Sequence, residues 1–216
     1  MPAIERLFVV ENDASAIAER VAQVIAGGGT VIFPTDTVYG IGCDPWQPQA
    51  IARIYALKGR EAGKPLSLHV ASVEEALEYS GGVPVVAAAI RRLFPGPVTL
   101  IVRRPSFIDE QMTSGLPSMG LRVPDDPTCA AILECAGPLA ATSANRSGEP
   151  AFCGEGGKRS GLPEADLLVE AGPTRRQGES TIVDLTAGRP RLVREGVVTV
   201  AMLERALGPI EPPYPR

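Results

Sequence analysis

Short apolar runs alternate along this chain with segments of helical period, and a glycine or proline closes almost every one of them. The run Thr30-Val31-Ile32-Phe33 stops at Pro34, and Val98 to Val102 follows the breaker Pro95-Gly96-Pro97. Ahead of the first run, Ile17, Val21, Val24 and Ile25 recur at helical spacing, in a helix that Asn12 or Asp13 can cap and that ends near Ala26. Further helices fit Pro48 to Leu57, Ser72 to Tyr79 with Glu75 at capping-box spacing, and Val83 to Phe94 with Pro84 in the first turn. Pro127 to Cys135 and Val200 to Leu207 also read as helices, and Leu66–Val70, Met119–Val123, Leu139–Thr142, Leu167–Val169, Thr181–Leu185 and Arg191–Arg194 as extended. Such interleaving predicts one α/β domain over residues 1–207 with a central mixed sheet, and a proline-rich surface tail over 208–216.

Composition narrows the class. With 44% hydrophobic residues and a net charge of −4 the chain reads as globular and not disordered. Its 23 glycines and 21 prolines agree with many short turns. The longest charge-free apolar stretch, Val21 to Thr35, contains three glycines and a proline and is too short to span a bilayer, which needs about 18 residues or more. Glu5 and Arg6 interrupt any signal-peptide core, so a cytoplasmic location is expected. The four cysteines have no C-x-x-C spacing and His69 is the single histidine, which argues against a zinc site or a disulfide framework. The cysteines read instead as small buried apolar groups.

Familiar catalytic signatures are missing. Gly27-Gly28-Gly29-Thr30 lacks the lysine of a phosphate loop, no G-x-G-x-x-G follows a strand, and no G-x-S-x-G elbow could serve His69. What the chain offers is a set of polar strings at strand ends, where open α/β sheets hold ligands. In Phe33 to Gly42, FPTDTVYGIG, the hydroxyls of Thr35, Thr37 and Tyr39 follow a buried strand, and the glycines would let backbone approach a ligand. Lys58-Gly59-Arg60 and Lys64 place three cations within seven residues, which either simply complement the dipole at a helix C-terminus or suit a polyphosphate, with the lysine as a mobile point charge. Thr142-Ser143-Ala144-Asn145 presents a hydroxyl and an amide to one anion, or simply makes a turn. Arg122, between apolar neighbours, requires a carboxylate or phosphate partner, and Ser180 to Asp184 with Arg194-Glu195-Gly196 adds polar groups at the ends of paired strands.

In this order the strings PTDTVYG, KGR with KPL-x-L-H, FPGPVTLIV, GLRVPDDP, TSANRSGEPA, STIVD and VREG closely resemble the YrdC-like family of threonylcarbamoyl-AMP synthases, from about Gly28 to Gly196. The resemblance implies a single YrdC-like α/β domain whose twisted, mostly mixed and antiparallel sheet is flanked by helices around a concave, positively lined cleft. It implies that L-threonine, bicarbonate or CO2, and ATP with Mg2+ become threonylcarbamoyl-AMP and pyrophosphate for tRNA modification. Lys58, Arg60, Ser143 and Asn145 fall on the family's K-x-R and S-x-N signatures and would be catalytic. Thr37, Tyr39, His69, Arg122, Thr142 and Ser180 would surround threonine. The nucleotide would meet Lys58, Arg60, Lys64, Ser118, Ser143, Ala144, Asn145 and Arg194, with no metal ligand expected from the side chains. Implied partners are the downstream tRNA threonylcarbamoyl-transfer proteins and a weak contact with tRNA itself, with no membrane. Glu61-Ala62-Gly63 stands where the family commonly has a proline, and the chain ends where longer members continue. The alternative class is a non-catalytic RNA-binding module on the same fold, which the acidic balance and few aromatics disfavour.

Overall fold

The computed structural model describes residues 4–9, 14–154 and 161–213. Its elements run β1 (Glu5–Phe8), α1 (Ala14–Ala26), β2 (Val31–Phe33), β3 (Gly40–Cys43), α2 (Pro48–Lys58), β4 (Ser67–His69), α3 (Val73–Glu78) and α4 (Pro84–Leu93). They continue with β5 (Val98–Arg103), β6 (Ser118–Arg122), α5 (Pro127–Ala136), β7 (Leu139–Ser143), β8 (Leu167–Glu170), β9 (Thr181–Asp184), β10 (Arg191–Arg194) and α6 (Val200–Leu207). All the strands join one mixed sheet in the order β1-β8-β2-β3-β7-β4-β6-β5-β9-β10. The pairs β1/β8, β8/β2, β4/β6 and β5/β9 are parallel and the others antiparallel. Among the described residues no helix is long and apolar enough to cross a membrane.

The expected helices and strands form within a residue or two, because their caps are chemical. Ser72 Oγ accepts the Glu75 amide at 3.1 Å, and Glu75 returns a bond to the Ala71 amide at 2.9 Å, one residue ahead of the cap. The expected Asn12 or Asp13 cap of α1 lies outside the described residues. Two strands escape the sequence pattern. β1 is a four-residue edge strand, and β3, GIGC, carries two glycines where strand propensity would ask for branched side chains. Those glycines were expected to admit a ligand; both make room for Phe33, and Gly40 also lines a cavity. A Cβ on Gly42 would stand 2.9 Å from Phe33 Cε1, and one on Gly40 3.1 Å from Phe33 Cζ, so the ring lies across both. Cys43 and Cys129 are buried as expected, whereas Cys135 is exposed. After α6 the chain turns back along β10, where the Leu192 amide donates to Glu211 O at 2.9 Å.

The two faces of the sheet are covered unequally. One face, through Ile32, Ile41, Leu68, Leu100, Leu121 and Val183, packs on α2, α3, α4 and α6 in the larger core. On the other, Val31, Phe33, Leu139, Leu167 and Val169 pack on Ile17, Val21 and Ile25 of α1 and Ile132 and Leu133 of α5. These two helices cover only the β8-β2-β7 part of their face. Among the described residues no helix packs over the remainder, from β4 through β6 and β5 to β9.

Gly42→Ala should therefore overpack the Phe33 contact and cost about 1–3 kcal/mol. A urea titration should show a lower midpoint with an unchanged slope.

Candidate active site

The bare face lines a cavity of about 560 Å³ with side chains of one strand parity. Ser67 and His69, Thr99 and Ile101, and Gly120 and Arg122 point toward it, while Leu68, Leu100 and Leu121 between them are buried in the larger core; at the end of β7 the alternation breaks, and Ala141, Thr142 and Ser143 all line the cavity. The binding surface is thus a sheet face and not the row of strand ends expected for an open parallel sheet. The floor is made of small residues: a Cβ on Gly120 would stand 2.4 Å from Ser67 Oγ. The end of α2 with its following loop, the turn after β7, and the β9–β10 arm form the walls.

All but three of the residues expected at the site line this cavity. Thr37 is fully buried behind it. Ala144 is buried too, donating its amide to Tyr39 O at 2.7 Å. Ser118 shares the parity of Gly120 and Arg122 but lies farther out on β6. Glu179, Ser67 and Thr99 line the cavity without having been singled out; for Ser67 on β4 and Thr99 on β5 the signal was the alternation of strands whose opposite parity is apolar, whereas Glu179 precedes β9 and had none.

The hydroxyls expected to face a ligand are mostly spent inside the fold. Thr35 Oγ1 donates to Val38 O at 2.6 Å, so the 3.0 Å contact between hydroxyls runs from Thr37 to Thr35. Thr37 Oγ1 in turn accepts from Arg122 Nη2 at 2.9 Å. Tyr39 Oη donates to Gly172 O at 2.7 Å and accepts from the Ala171 amide at 3.0 Å. Ser180 Oγ and Thr99 Oγ1 are 3.0 Å apart. Ser67 and Thr142 make no side-chain hydrogen bond among the described residues, which leaves their hydroxyls for a ligand.

Arg122 meets the carboxylate its burial demanded, and it is Asp36 of the same PTDTVYG string, with Nη2 to Oδ1 at 2.6 Å. Asp36 was not among the expected residues, although an acid inside an apolar strand–turn calls for a partner by the same physics as Arg122 does. Asp36 Oδ1 also accepts the Asp125 amide at 3.2 Å, and its Oδ2 lies 3.9 Å from Arg176 Nε.

Lys58 is not the mobile charge expected. Its Nζ donates to Ser143 O, to Asn145 O at 2.6 Å and to Asn145 Oδ1 at 3.4 Å, clamping the turn after β7 against the end of α2. Burial, and then the nearby charge of Arg60, lower its pKa to about 8. Gly59 ends α2 in the left-handed conformation at φ 58°, which lets Lys58 and Arg60 leave the helix in different directions. Arg60 holds the Glu61-Ala62-Gly63 loop through Lys64 O and Pro65 O, each at 2.8 Å. Ser143 Oγ donates to Asn145 Oδ1 at 2.5 Å, completing the S-x-N turn.

The cations of the wall differ in how they are matched. Lys64 pairs with Glu61 at 3.0 Å, Arg194 with Glu179 at 3.0 Å and Arg122 with Asp36. Among the described residues no carboxylate pairs with Lys58 or Arg60, so positive charge is concentrated at the end of α2. Among the described residues no cysteine lines the cavity, and burial pushes Cys43 up to about 12 and Cys129 well above its ordinary value. The arrangement can hold and align anions.

A family model described as Telomere recombination, covering Sua5, YciO and YrdC proteins, matches residues 23–196. The chain belongs to the Sua5/YciO/YrdC family. It is 32% identical to the threonylcarbamoyl-AMP synthase of Pyrococcus abyssi over 94% of its own length and 62% of that protein. Against the Bacillus subtilis threonylcarbamoyl-AMP synthase it is 33% identical, over 95% of this chain and 62% of the relative. A crystal structure of P. abyssi Sua5 complexed with L-threonine superposes with a TM-score of 0.89 at 30% identity, covering 98% of this chain and 62% of that one. The chain thus spans a little under two thirds of these relatives. The Sua5/YciO/YrdC match encloses the whole cavity lining, from Thr35 to Arg194.

His69, edge-on to Phe33 with ring centroids 6.2 Å apart, is buried with Nδ1 lacking a partner. Burial first, and the charge of Arg122 second, lower its pKa to about 3 from the ordinary 6.5. The folded protein therefore keeps a neutral imidazole where the unfolded chain takes a proton. Stability should be full above about pH 6.5 and decline as pH falls toward 3, at up to ~1.4 kcal/mol per pH unit from this group. Urea unfolding across that range should show the slope, and His69→Gln should remove part of it.

Proposed function

We propose that this chain is an L-threonylcarbamoyladenylate synthase, converting L-threonine, bicarbonate or CO2, and ATP to threonylcarbamoyl-AMP and pyrophosphate. The observation that carries the reading is the charge distribution of the cavity. Unmatched Lys58 and Arg60 stand at one wall, a matched Arg122 stands over the inner strands, and an uncharged floor lies between. Relatives named for this activity, and a threonine-bound Sua5, support it.

Two anionic ligands must be aligned, and neither needs a protein nucleophile. The neutral amine of threonine adds to carbon dioxide, forming an N–C bond and losing a proton, to give an N-carboxylate. A carboxylate oxygen then attacks the α-phosphorus of ATP, and the bond to the β-phosphate oxygen breaks as pyrophosphate leaves. Catalysis is then alignment plus charge neutralisation.

Lys58 holds the turn that presents Ser143 and Asn145, while Arg60 stands beside the polyphosphate with Lys64 and Arg194 at the rim. Ser118 and Ala144 complete the nucleotide's surroundings in this reading, Ala144 through its backbone. Arg122 takes the carboxylate of threonine, and His69, Thr142 and Ser180 surround the rest. Thr37 and Tyr39 act at one remove, by fixing Arg122 and the 171–172 segment. A magnesium ion would enter this site as a companion of ATP, where Glu179, paired with Arg194, is a carboxylate lining the cavity. Bound to the phosphates, the ion would neutralise charge on the leaving pyrophosphate. The labile product passes, in a cytoplasmic setting, to the proteins that transfer threonylcarbamoyl to tRNA.

Purified protein with ATP, magnesium and L-threonine should release pyrophosphate only when bicarbonate is supplied, and label from bicarbonate should appear in the nucleotide product. Full release in bicarbonate-free buffer would indicate an ordinary aminoacyl-adenylate enzyme.

A further inference from the structure

Five cations line one cavity, and a zwitterion and a polyanion must enter it in one orientation. A polyphosphate would be drawn to any unmatched arginine, including one meant for a carboxylate. We propose that Asp36 is a selectivity residue: by cancelling the charge of Arg122 it makes the inner end of the cavity a site for a zwitterion and turns polyanions toward Lys58 and Arg60. The proposal rests on the reading of this cavity as a threonine and ATP site.

Asp36 has no exposed surface and does not line the cavity, so it acts on a ligand only through Arg122 and through its charge. Its Oδ1 takes Arg122 Nη2 at 2.6 Å and the Asp125 amide at 3.2 Å. Its Oδ2 is buried with no hydrogen-bond partner and lies 3.9 Å from the half-exposed Arg176, so the short, fully buried contact of this carboxylate is the one with Arg122. Arg122 spends Nη2 on Asp36 and Thr37, while its Nε is buried without a partner. A guanidinium has five donors in a planar fork, and one already neutralised by a carboxylate can still hydrogen-bond a second. What it no longer supplies is net charge. An amino acid, itself net neutral, loses little by this, whereas pyrophosphate gains no neutralisation and meets the Asp36 charge directly behind the arginine. At the other wall, among the described residues, no carboxylate forms an ion pair with Lys58 or Arg60, and a polyanion is attracted there.

Asp36→Asn removes the charge while keeping the shape and the Oδ1 acceptor. Calorimetry of L-threonine binding, with and without inorganic pyrophosphate, tests the proposal in wild type and variant, with circular dichroism and thermal melts reporting folding. Wild-type affinity for L-threonine should be nearly indifferent to pyrophosphate. In the variant, pyrophosphate should compete, weakening L-threonine binding at least tenfold. A folded variant that remains indifferent overturns the role of Asp36. If Asp36→Asn does not fold, crystals of the wild type soaked in sulfate decide. Sulfate at Lys58 and Arg60 with none on Arg122 supports the proposal, and sulfate seated on Arg122 overturns it. Failure of the wild type to bind L-threonine at all would instead sink the reading on which the proposal rests.

Discussion

Asp36 and Arg122 form an ion pair with almost no contact with water, and much of the molecule's polar interior is arranged around it. Burying either charge alone would be prohibitive, and removing one partner of such a pair typically costs about 3–5 kcal/mol. The pair joins the turn after β2 to the end of β6, strands separated in the sheet by β3, β7 and β4. Further bonds radiate from it: Thr37 to Thr35, the Arg176 amide to Asp36 O at 3.1 Å, and Thr174 Oγ1 to Thr37 O at 2.6 Å. The consequence is a rigid inner wall whose guanidinium has one orientation. A hydrophobic pair of similar volume could stabilise the fold as well, but it could not present hydrogen-bond donors to an anion.

The fold was legible where a local rule sufficed. Alternating apolar residues identified β5, β6 and β7, and caps and breakers identified the ends of α3 and α4, because each of these signals is written within a few residues. β3 was hidden because its glycines serve Phe33 of the neighbouring strand, a demand visible only once the two strands are paired. The site divides in the same way. Arg122 could be identified as needing an anion from its neighbours alone, but not that the anion is Asp36, which lies 86 residues away. The hydroxyl string Thr35, Thr37, Tyr39 drew attention for its polarity, yet polarity does not reveal which groups are satisfied internally. That depends on Ala171 and Gly172, more than a hundred residues along the chain.

Internal satisfaction is what makes this site usable. Lys58 would be a poor alignment device if its four-carbon stem were free to wander, since ordering such a side chain costs roughly 1.5–2 kcal/mol. Folding meets that cost before any ligand arrives, by placing the ammonium on the carbonyls of Ser143 and Asn145. The turn and the charge then form one unit at the C-terminal end of α2. Arg60 is fixed in the same manner by the carbonyls of Lys64 and Pro65. The loop that has glutamate, alanine and glycine in place of the usual proline is therefore tied by the arginine rather than by its own backbone stiffness.

A reaction that joins two anions gains most from charges that need not reorganise as it proceeds. Such a site requires fixed donors, a floor small enough to let the reacting groups meet, and a difference in charge between its ends to set their direction. The unequal helix cover supplies the floor, by leaving exposed one parity of strands whose other parity builds the core. The hydrogen bonds of the two turns supply the fixed donors. The difference between the ends comes from matching: Arg122 has a buried carboxylate behind it, and among the described residues none pairs with Lys58 or Arg60. For the proposed reaction, a sequence without a catalytic triad or a metal-ligand motif is no obstacle, because that chemistry asks for position and charge and not for a reactive side chain.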